Sequence, residues 1–429
     1  MALISPFRAL RFTDDAGPLD RLVAPPYDVL SEAQRNELAS QSPHNIVHLT
    51  LPESQPDDRS KFVRYARSSA RLAEWRRQGV LAPEPAPSVY RYTQTFEVPG
   101  FDRPLRRTKL IVLIKVEPYE KGVVLPHEQT FPKHKEDRLR LLEATRAHLE
   151  SIYGLYEDDG GSIQREVDAT PGTPVADVVQ DGVRNQVDRI SDPAAIRNLV
   201  DRLADKKVWI ADGHHRFETA VNFRAALGPK PGLVAEDFMM IGLSSMADPG
   251  LIILPTHRIV HKLNVGPAEL DQVFQALFHT RRVPNTELLA EVERLSRPTN
   301  RVFGVALPGG VGLLLTLEDA KDALRWVDGE GSDRLKLLDV TILHRVIFEK
   351  LLGLKGLDFF AYTRDPGEAL AAVESGAGAS FLMVPPSVDD MRRIALGGEK
   401  MPQKSTYYYP KLLSGLAMWS LDDFDEGLA

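Results

Sequence analysis

The sequence predicts an α+β protein built on a mixed sheet, and three observations carry that reading. Runs with strand character and runs with helical spacing follow one another in irregular order, without a steady β-α alternation. The chain has 429 residues, which at roughly 150 per domain points to more than one core. At 43% hydrophobic and 26% charged residues, the composition is that of a globular chain and excludes disorder as its main state.

The elements follow in order. Residues 1–88 open on a short apolar segment, turn at Ala24-Pro25-Pro26-Tyr27 and enter an Arg-rich helix over about 59–78 that Gly79 ends as its C′ residue. Pro83, Pro85 and Pro87 separate that helix from two strand-like runs, 89–98 and 109–117, joined at Gly100-Phe101-Asp102 as an antiparallel hairpin. From Lys133 to Glu150, the residues Leu139, Leu141, Leu142 and Leu149 recur at near-helical spacing, so a charged amphipathic helix is expected. The polar stretch 157–188 reads as loop or as an irregular strand pair. A helix over 193–205 leads to the strand Val208-Trp209-Ile210. Strands at 238–243 and 251–254 frame an Asp248-Pro249-Gly250 turn. Beyond them come helices at 268–276 and 287–294, strands at 301–306 and 312–317, helices at 338–351 and 366–375, a strand at 379–384 and a helix at 388–395. No repeat or low-complexity segment interrupts this order. The expected division is a core over 1–265 with insertions and an α/β region over 266–429 that returns a loop to the site.

Composition also removes whole classes of function. Fifty-three basic against 60 acidic residues leave a net charge of −7, which is no footprint for a nucleic-acid backbone. Apolar runs such as Leu110–Ile114 are far shorter than a membrane span. The first ten residues lack the basic and apolar regions of a secretory signal, so a cytoplasmic protein is expected. The absence of cysteine excludes disulfides, Cys-ligated metals and thiolate chemistry.

The richest motif is Ile210-Ala211-Asp212-Gly213-His214-His215-Arg216-Phe217-Glu218-Thr219-Ala220, which follows a strand and opens a helix. Gly213 frees the turn, the helix N-terminus favours an anion, and His214, His215 and Arg216 add donors aimed at it. The plainer alternative has Asp212 capping the helix and Arg216 pairing with Glu218 or Glu236.

Three further groups of polar residues stand out. His127-Glu128-Gln129-Thr130 precedes Lys133, Lys135, Glu136, Asp137 and Arg138. The next histidine is His134, so this is not the His-Glu-x-x-His zinc pattern. There His127 or Glu128 would serve as a general base and Lys135 with Arg138 as a phosphate clamp, or the segment is simply a charged helix start. In Pro25-Pro26-Tyr27-Asp28, a fixed turn offers an aromatic plane and a carboxylate to a nucleobase or substrate amine, unless Asp28 merely caps the helix that follows. Near the end, Gly398 to Ser405 has P-loop spacing but places Gln403 where the second glycine belongs, and it follows a helix, so a P-loop is rejected. Lys404, Ser405, Thr406 and Lys411 remain able to bind a phosphate from a loop, while Tyr407–Tyr409 read as a packing strand. His257 and His261 are four apart but on a strand or loop, which does not favour a shared metal. No Gly-x-Gly-x-x-Gly follows a strand, which argues against a Rossmann dinucleotide site.

The run Asp212 to Arg216, followed by a helix with Ala220, resembles the nucleotide-phosphate signature of the ParB/sulfiredoxin-like superfamily, which includes free-serine kinases. The chain as a whole resembles the bacterial and archaeal family known as domain of unknown function 1015. That resemblance runs through Pro6–Leu10, Ala24–Val29, His127–Thr130, Lys135–Arg138, Asp212–Arg216, Leu254–Arg258 and Met401–Thr406 to Pro410-Lys411. It departs at Pro126, where relatives often carry a basic residue before the His-Glu pair.

The resemblance implies a ParB/sulfiredoxin-like core that binds nucleotide phosphates at Gly213, His214, His215 and Arg216, with ATP or ADP and Mg2+ as cofactors. The expected activity is phosphoryl transfer to or from a small hydroxylated metabolite, with serine and phosphoserine the first candidates and serine metabolism the setting. Asp212 would orient or deprotonate the hydroxyl or hold magnesium. His127, Glu128 and His215 would join it in catalysis, Lys135, Arg138, Lys404, Ser405 and Thr406 would hold phosphate, and Tyr27, Asp28, His257 and Arg258 would hold substrate. The alternatives are a nucleotide-gated switch without catalysis and a small-molecule phosphatase. The expected partners are a small molecule and a nucleotide, with neither membrane nor nucleic acid.

Overall fold

The computed structural model describes residues 2–99, 101–130, 132–356 and 358–425, and only the backbone of Pro132, Lys133, His134, Pro267 and Ala268. Gly100 of the expected turn and the side chains of Lys133 and His134 lie outside the described residues. The chain forms two compact units. The first combines 1–126, 130–252 and 410–429, and the second combines 127–129 with 253–409.

The first unit is organised around a nine-stranded sheet. Its strands are β1 (Ile4–Ser5), β2 (Val89–Phe96), β3 (Leu105–Lys115), β4 (Val124–Leu125), β5 (Ile152–Tyr156), β6 (Thr173–Gln180), β7 (Val183–Ile190), β8 (Val208–Asp212) and β9 (Phe238–Ser245). The order across the sheet is β4-β8-β5-β9-β3-β2-β7-β6, with β1 also paired to β3. It is mixed, because β8 runs parallel to β4 and β9 parallel to β5, while the other pairs are antiparallel.

Strand β3 shows how the sequence builds this sheet. Leu110, Val112 and Ile114 alternate onto one face and join a core with Val89, Ile152, Ile210, Phe217 and Ile241, each large apolar side chain contributing about 1.5–3 kcal/mol by its burial. Arg107 and Lys109 fall on the opposite face. The hairpin is as expected in kind, but β3 begins at Leu105, earlier than the charged run Arg106-Arg107 suggested.

Among the described residues, the helices of eight residues or more in this unit are α1 (Glu32–Gln41), α2 (Val63–Arg77), α3 (Pro132–Thr145), α4 (Ser162–Ala169), α5 (Pro193–Ala204) and α6 (His214–Ala226). Helix α1 is capped by Ser31 in a capping box with Gln34, so the expected cap by Asp28 is corrected: Ser31 sits at the N-cap, where its oxygen reaches the N3 amide. Helix α2 ends as expected at Gly79, which has φ +74°. The amides of Gly79 and Val80 reach back to Arg76 and Trp75, closing a Schellman motif. Helix α3 stops at Thr145, short of the expected Glu150, because Arg146 takes φ +48° and Ala147-His148 pair as a strand with Trp419-Ser420. The stretch 157–188 holds helix α4 and the β6–β7 hairpin, so its reading as loop is corrected and the strand pair is retained.

The second unit holds a six-stranded antiparallel sheet. Its strands are β10 (His257–Val260), β11 (His279–Pro284), β12 (Arg301–Ala306), β13 (Val311–Leu317), β14 (Phe360–Thr363) and β15 (Ala379–Leu382), in the order β11-β13-β12-β15-β10-β14. Helices α7 (Pro267–Phe274), α8 (Leu288–Leu295), α9 (Pro366–Glu374) and α10 (Val388–Leu396) belong to the same unit. The expected helix over 338–351 begins at Asp339 and continues as a π-helix, Leu343–Leu351. Among the described residues no helix is long and apolar enough to cross a membrane.

Candidate functional site

The geometry begins at the end of β8. Val208, Trp209 and Ile210 are buried, which anchors the strand and leaves Asp212 as its last residue, opposite Tyr153 on β5. Gly213 follows with φ +94°, and a Cβ there would lie 2.6 Å from Ile152 Cγ2. Only glycine meets both the left-handed backbone and the close approach of β5. Helix α6 then starts without any side-chain cap, so its positive dipole end faces the Asp212 turn.

Asp212 is clasped by two cations. Arg216, one helical turn on, donates from Nη2 to Asp212 Oδ2 at 3.0 Å, and Lys411 Nζ donates to Oδ1. The side chains of Arg216, Asp212 and Lys411 are 10%, 14% and 11% exposed, so the charges interact in a medium that screens them weakly. Arg216 Nη1 also donates to the Ser151 carbonyl at 2.8 Å, and its buried Nε has no hydrogen-bond partner. Burial opposes the Arg216 charge, but the carboxylates of Glu150, Asp212 and Asp28 outweigh it and hold the pKa above the ordinary value. The alternative in which Arg216 pairs with Glu218 or Glu236 is corrected: Glu218 takes Lys135 at 3.0 Å and Glu236 takes Arg146 at 3.0 Å.

Around Arg216 the same unit gathers several of the expected residues. Tyr27 is half-buried between two guanidinium groups, with Arg138 at 3.9 Å and Arg216 at 5.9 Å from its ring centre, a cation–π arrangement. Burial, followed by the Asp28 charge, pushes the Tyr27 phenol up. Glu150 Oε1 accepts from the Tyr27 amide at 3.1 Å and from Ser414 Oγ at 2.8 Å. Arg138 also holds Asp137 and, at 2.9 Å, the Thr50 carbonyl. Lys135 meets Glu218 Oε2, which Thr130 Oγ1 also reaches at 2.6 Å. Two small cavities share Arg216 and Glu150. One of about 50 Å³ is lined also by Arg138, His148 and Thr219, and one of about 10 Å³ by Pro26, Asp212 and Ser414. Asp28 is exposed, His214 is buried and His215 is half-buried.

The remaining expected residues lie in the second unit. There His127 Nε2 meets Thr406 Oγ1 at 2.8 Å, and Glu128 Oε1 accepts the Lys404 amide at 2.8 Å. Lys404 is exposed with φ +58°, and Ser405 Oγ bonds the Pro402 carbonyl. Arg258 is fully buried, donating to the carbonyls of Thr256 and, at 3.1 Å, Lys404, and burial lowers its pKa to about 10. His257 beside it is pushed down to about 4 by burial and then by the Arg258 charge. Tyr407–Tyr409 form a strand, with Tyr408 buried, as expected.

Glu150, Ser151, Glu218 and Ser414 contact site residues without having been singled out as site residues. Glu150 carried a readable signal, a carboxylate just ahead of the apolar run Ile152–Tyr156, whereas Ser151 contributes only its carbonyl. Among the described residues no group of three His, Asp or Glu side chains gathers as a metal site. With both Asp212 oxygens facing cations, the donor set does not by itself fit Mg2+.

The chain is thus an α+β protein in which a carboxylate is held between a guanidinium and an ammonium at a glycine turn from strand to helix. By its sequence the chain belongs to the family described as protein of unknown function, DUF1015, whose model matches residues 4–341. No curated protein matches it. Among solved structures it is similar to a free serine kinase variant in complex with ADP, at 12% identity and TM-score 0.36 over 73% of this chain and 92% of that one. It is also similar to a conserved hypothetical protein from Pyrococcus furiosus, at 14% and 0.35 over 73% and 97%. A third is a C-terminally truncated SbnI from Staphylococcus aureus, at 12% and 0.36 over 71% and 85%. Likenesses this loose carry no argument about mechanism.

Proposed function

We propose that this protein transfers a phosphoryl group between a nucleotide, ATP or ADP, and a small hydroxylated metabolite, with serine and phosphoserine the first pair to assay. The observation that carries the reading is the Arg216–Asp212–Lys411 cluster at the mouth of α6. Phosphoryl transfer asks a protein mainly for positioning and for charge stabilisation, because the nucleophile and leaving group are loosely bound in the transition state. Arg216, Lys411 and the α6 dipole answer the second demand, offering fixed positive charge to the equatorial oxygens. Asp212 answers the first by accepting the hydroxyl of the acceptor. A carboxylate between two cations is a weak base, which suits a reaction in which little proton transfer precedes bond cleavage. Magnesium enters this scheme only as the counter-ion that a nucleotide brings with its phosphates. The ParB/sulfiredoxin-like core implied by the Asp212–Arg216 motif and a cytoplasmic location both belong to this proposal.

Titration calorimetry of the purified protein with ATP, ADP and CTP in magnesium buffer tests it, repeated on Arg216→Ala and Arg216→Lys. The expected result is nucleotide binding that Arg216→Ala abolishes and Arg216→Lys partly keeps. Asp212→Asn is then expected to keep binding and lose transfer to serine, read by 31P NMR. Absence of binding by every nucleotide refutes the transferase and moves phosphatase assays on phosphorylated metabolites to the front. Binding without transfer to any hydroxylated acceptor leaves the switch reading.

A further inference from the structure

Lys411 lies 199 positions from Asp212 in sequence, and something must hold its backbone in register. The face of β3 opposite Leu110, Val112 and Ile114 supplies it. Arg107 and Lys109 are both 0% exposed there, with Gln94 of β2 paired to Arg107 and Tyr92 to Lys109. Gln94 Oε1 accepts from Lys109 Nζ and, at 2.9 Å, from Arg107 Nη2. Arginine only donates, so the Arg107 guanidinium fixes which end of the amide faces it, while burial and the neighbouring Arg107 charge pull the Lys109 pKa well below its ordinary value. The Nε2 end must then face the other way, where it donates to Asn185 Oδ1 at 3.0 Å and to the Lys411 carbonyl at 2.9 Å.

The neighbouring backbone is held from the same face. Arg107 donates to the Pro410 carbonyl, and the Leu413 amide donates to Tyr92 Oη at 3.2 Å. Leu412 Cδ2 occupies the space over Gly242, where a Cβ would lie 3.1 Å away. The Lys109 ammonium stands 5.0 and 5.2 Å from the ring centres of Tyr92 and Tyr153, and Tyr153 is the residue paired with Asp212. Gln94, Lys109 and Tyr153 thus link β2 to the strand partner of Asp212.

We infer that Gln94 is a positioning residue: its amide, oriented by Arg107, holds the Lys411 carbonyl so that the Lys411 ammonium meets Asp212. This rests on the reading of Asp212 as the centre of phosphoryl transfer. Gln94 touches neither substrate nor the reacting atoms and acts only through Lys411.

The informative substitution is Gln94→Glu. It preserves volume and keeps an acceptor for Arg107 and Lys109, yet it turns an acceptor toward the Lys411 carbonyl and Asn185 Oδ1, where a donor stood. The readout is amine-reactive labelling of Lys411 in the full chain, followed by peptide mass spectrometry, with the other lysines as internal reference. Loss of one backbone hydrogen bond, with repulsion added, raises the open population and hence the labelling rate by about tenfold. The protein is expected to stay folded with a melting temperature lower by a few degrees, and transfer is expected to fall. Gln94→Met deletes the donor and, with it, the acceptor of Arg107 and Lys109, so it is expected to lower the melting temperature further and, labelled well below that temperature, to expose Lys411 in the same way without added charge. Lys411 that stays as protected in both variants as in the parent protein overturns the inference. Lys411 that labels quickly while nucleotide binding and transfer persist upholds the positioning and overturns the transferase reading of Asp212 instead.

Discussion

Replacing Gly213 with alanine tests whether the strand-to-helix turn is as tightly determined as its geometry indicates. Two costs add at this position. A non-glycine residue at φ +94° pays about 1–2 kcal/mol for the left-handed backbone. The new methyl group would also stand 2.6 Å from Ile152 Cγ2 and 2.9 Å from Ile152 Cβ. Neither atom is the free end of a flexible chain, because Ile152 is buried on β5, and overpacking of that kind costs about 1–3 kcal/mol. Gly79→Ala is the matched control, since Gly79 has φ +74° and open space where its Cβ would go. It is expected to lose about 1–2 kcal/mol, and Gly213→Ala about 2–5 kcal/mol. Urea unfolding of the two variants side by side, followed by tryptophan fluorescence, measures the difference. Equal losses would refute the close approach of β5 and with it the argument that Asp212 is fixed by this turn.

Three other outcomes follow from the structure. Lys411→Met leaves Asp212 with one cation and is expected to cost about 1–3 kcal/mol and to weaken nucleotide binding, while the double variant with Asp212→Asn regains stability in melting experiments and not binding. His148, stacked on Trp419 at 5.7 Å, has its pKa lowered to about 4 by burial. Its contribution to stability is therefore full above pH 6.5 and is lost as pH falls through 4, on the order of 3 kcal/mol. His148→Gln is expected to flatten the fall of the urea midpoint across that window. Ser31→Ala removes the α1 capping box and is expected to lower stability by about 1 kcal/mol, read by the same unfolding assay.

Where the sequence spoke through local chemistry, its message was legible. Apolar alternation marked the β2–β3 hairpin, Gly79 marked the end of α2, and Asp212-Gly213 marked the turn into α6. Each depends on residues within a few positions of one another. Helix α4 was hidden because only Ile163 and Val167, among mostly polar residues, show its buried face. The π-helix was read only as a helix, because its buried Leu343, Val346 and Ile347 recur at the three- and four-residue spacing of an ordinary one. Arg107 lay outside the strand expected at 109–117 and Lys109 began it, and their burial was not legible, because the Gln94 amide and the Pro410 carbonyl that accept from Arg107 come from other parts of the chain. For the candidate site, the motif at 212–216 was visible as a unit. Its pairing with Lys411 was not, because nothing local reports a contact made across so much intervening chain. The other polar motifs were expected to serve one centre. The structure gathers Tyr27, Lys135 and Arg138 with the Asp212 unit, and His127, Glu128, His257, Arg258 and Lys404–Thr406 within the other.

The division of the first unit into separated stretches of chain also sets a clock on its assembly. Residues 253–409 are made after Asp212 and before Lys411. With 199 positions between those two residues and synthesis at about 5–20 residues per second, the ribosome spends about 10–40 s on the interval. During that time the Arg107–Lys109 face has no 410–413 segment to cover it, and Asp212 has Arg216 alone. The second unit, made almost wholly from one unbroken stretch, has everything it needs to fold while the first still waits. A nascent chain halted before residue 410 would thus emerge with one finished body and one charged, uncovered sheet face, the form most exposed to chaperones and proteases.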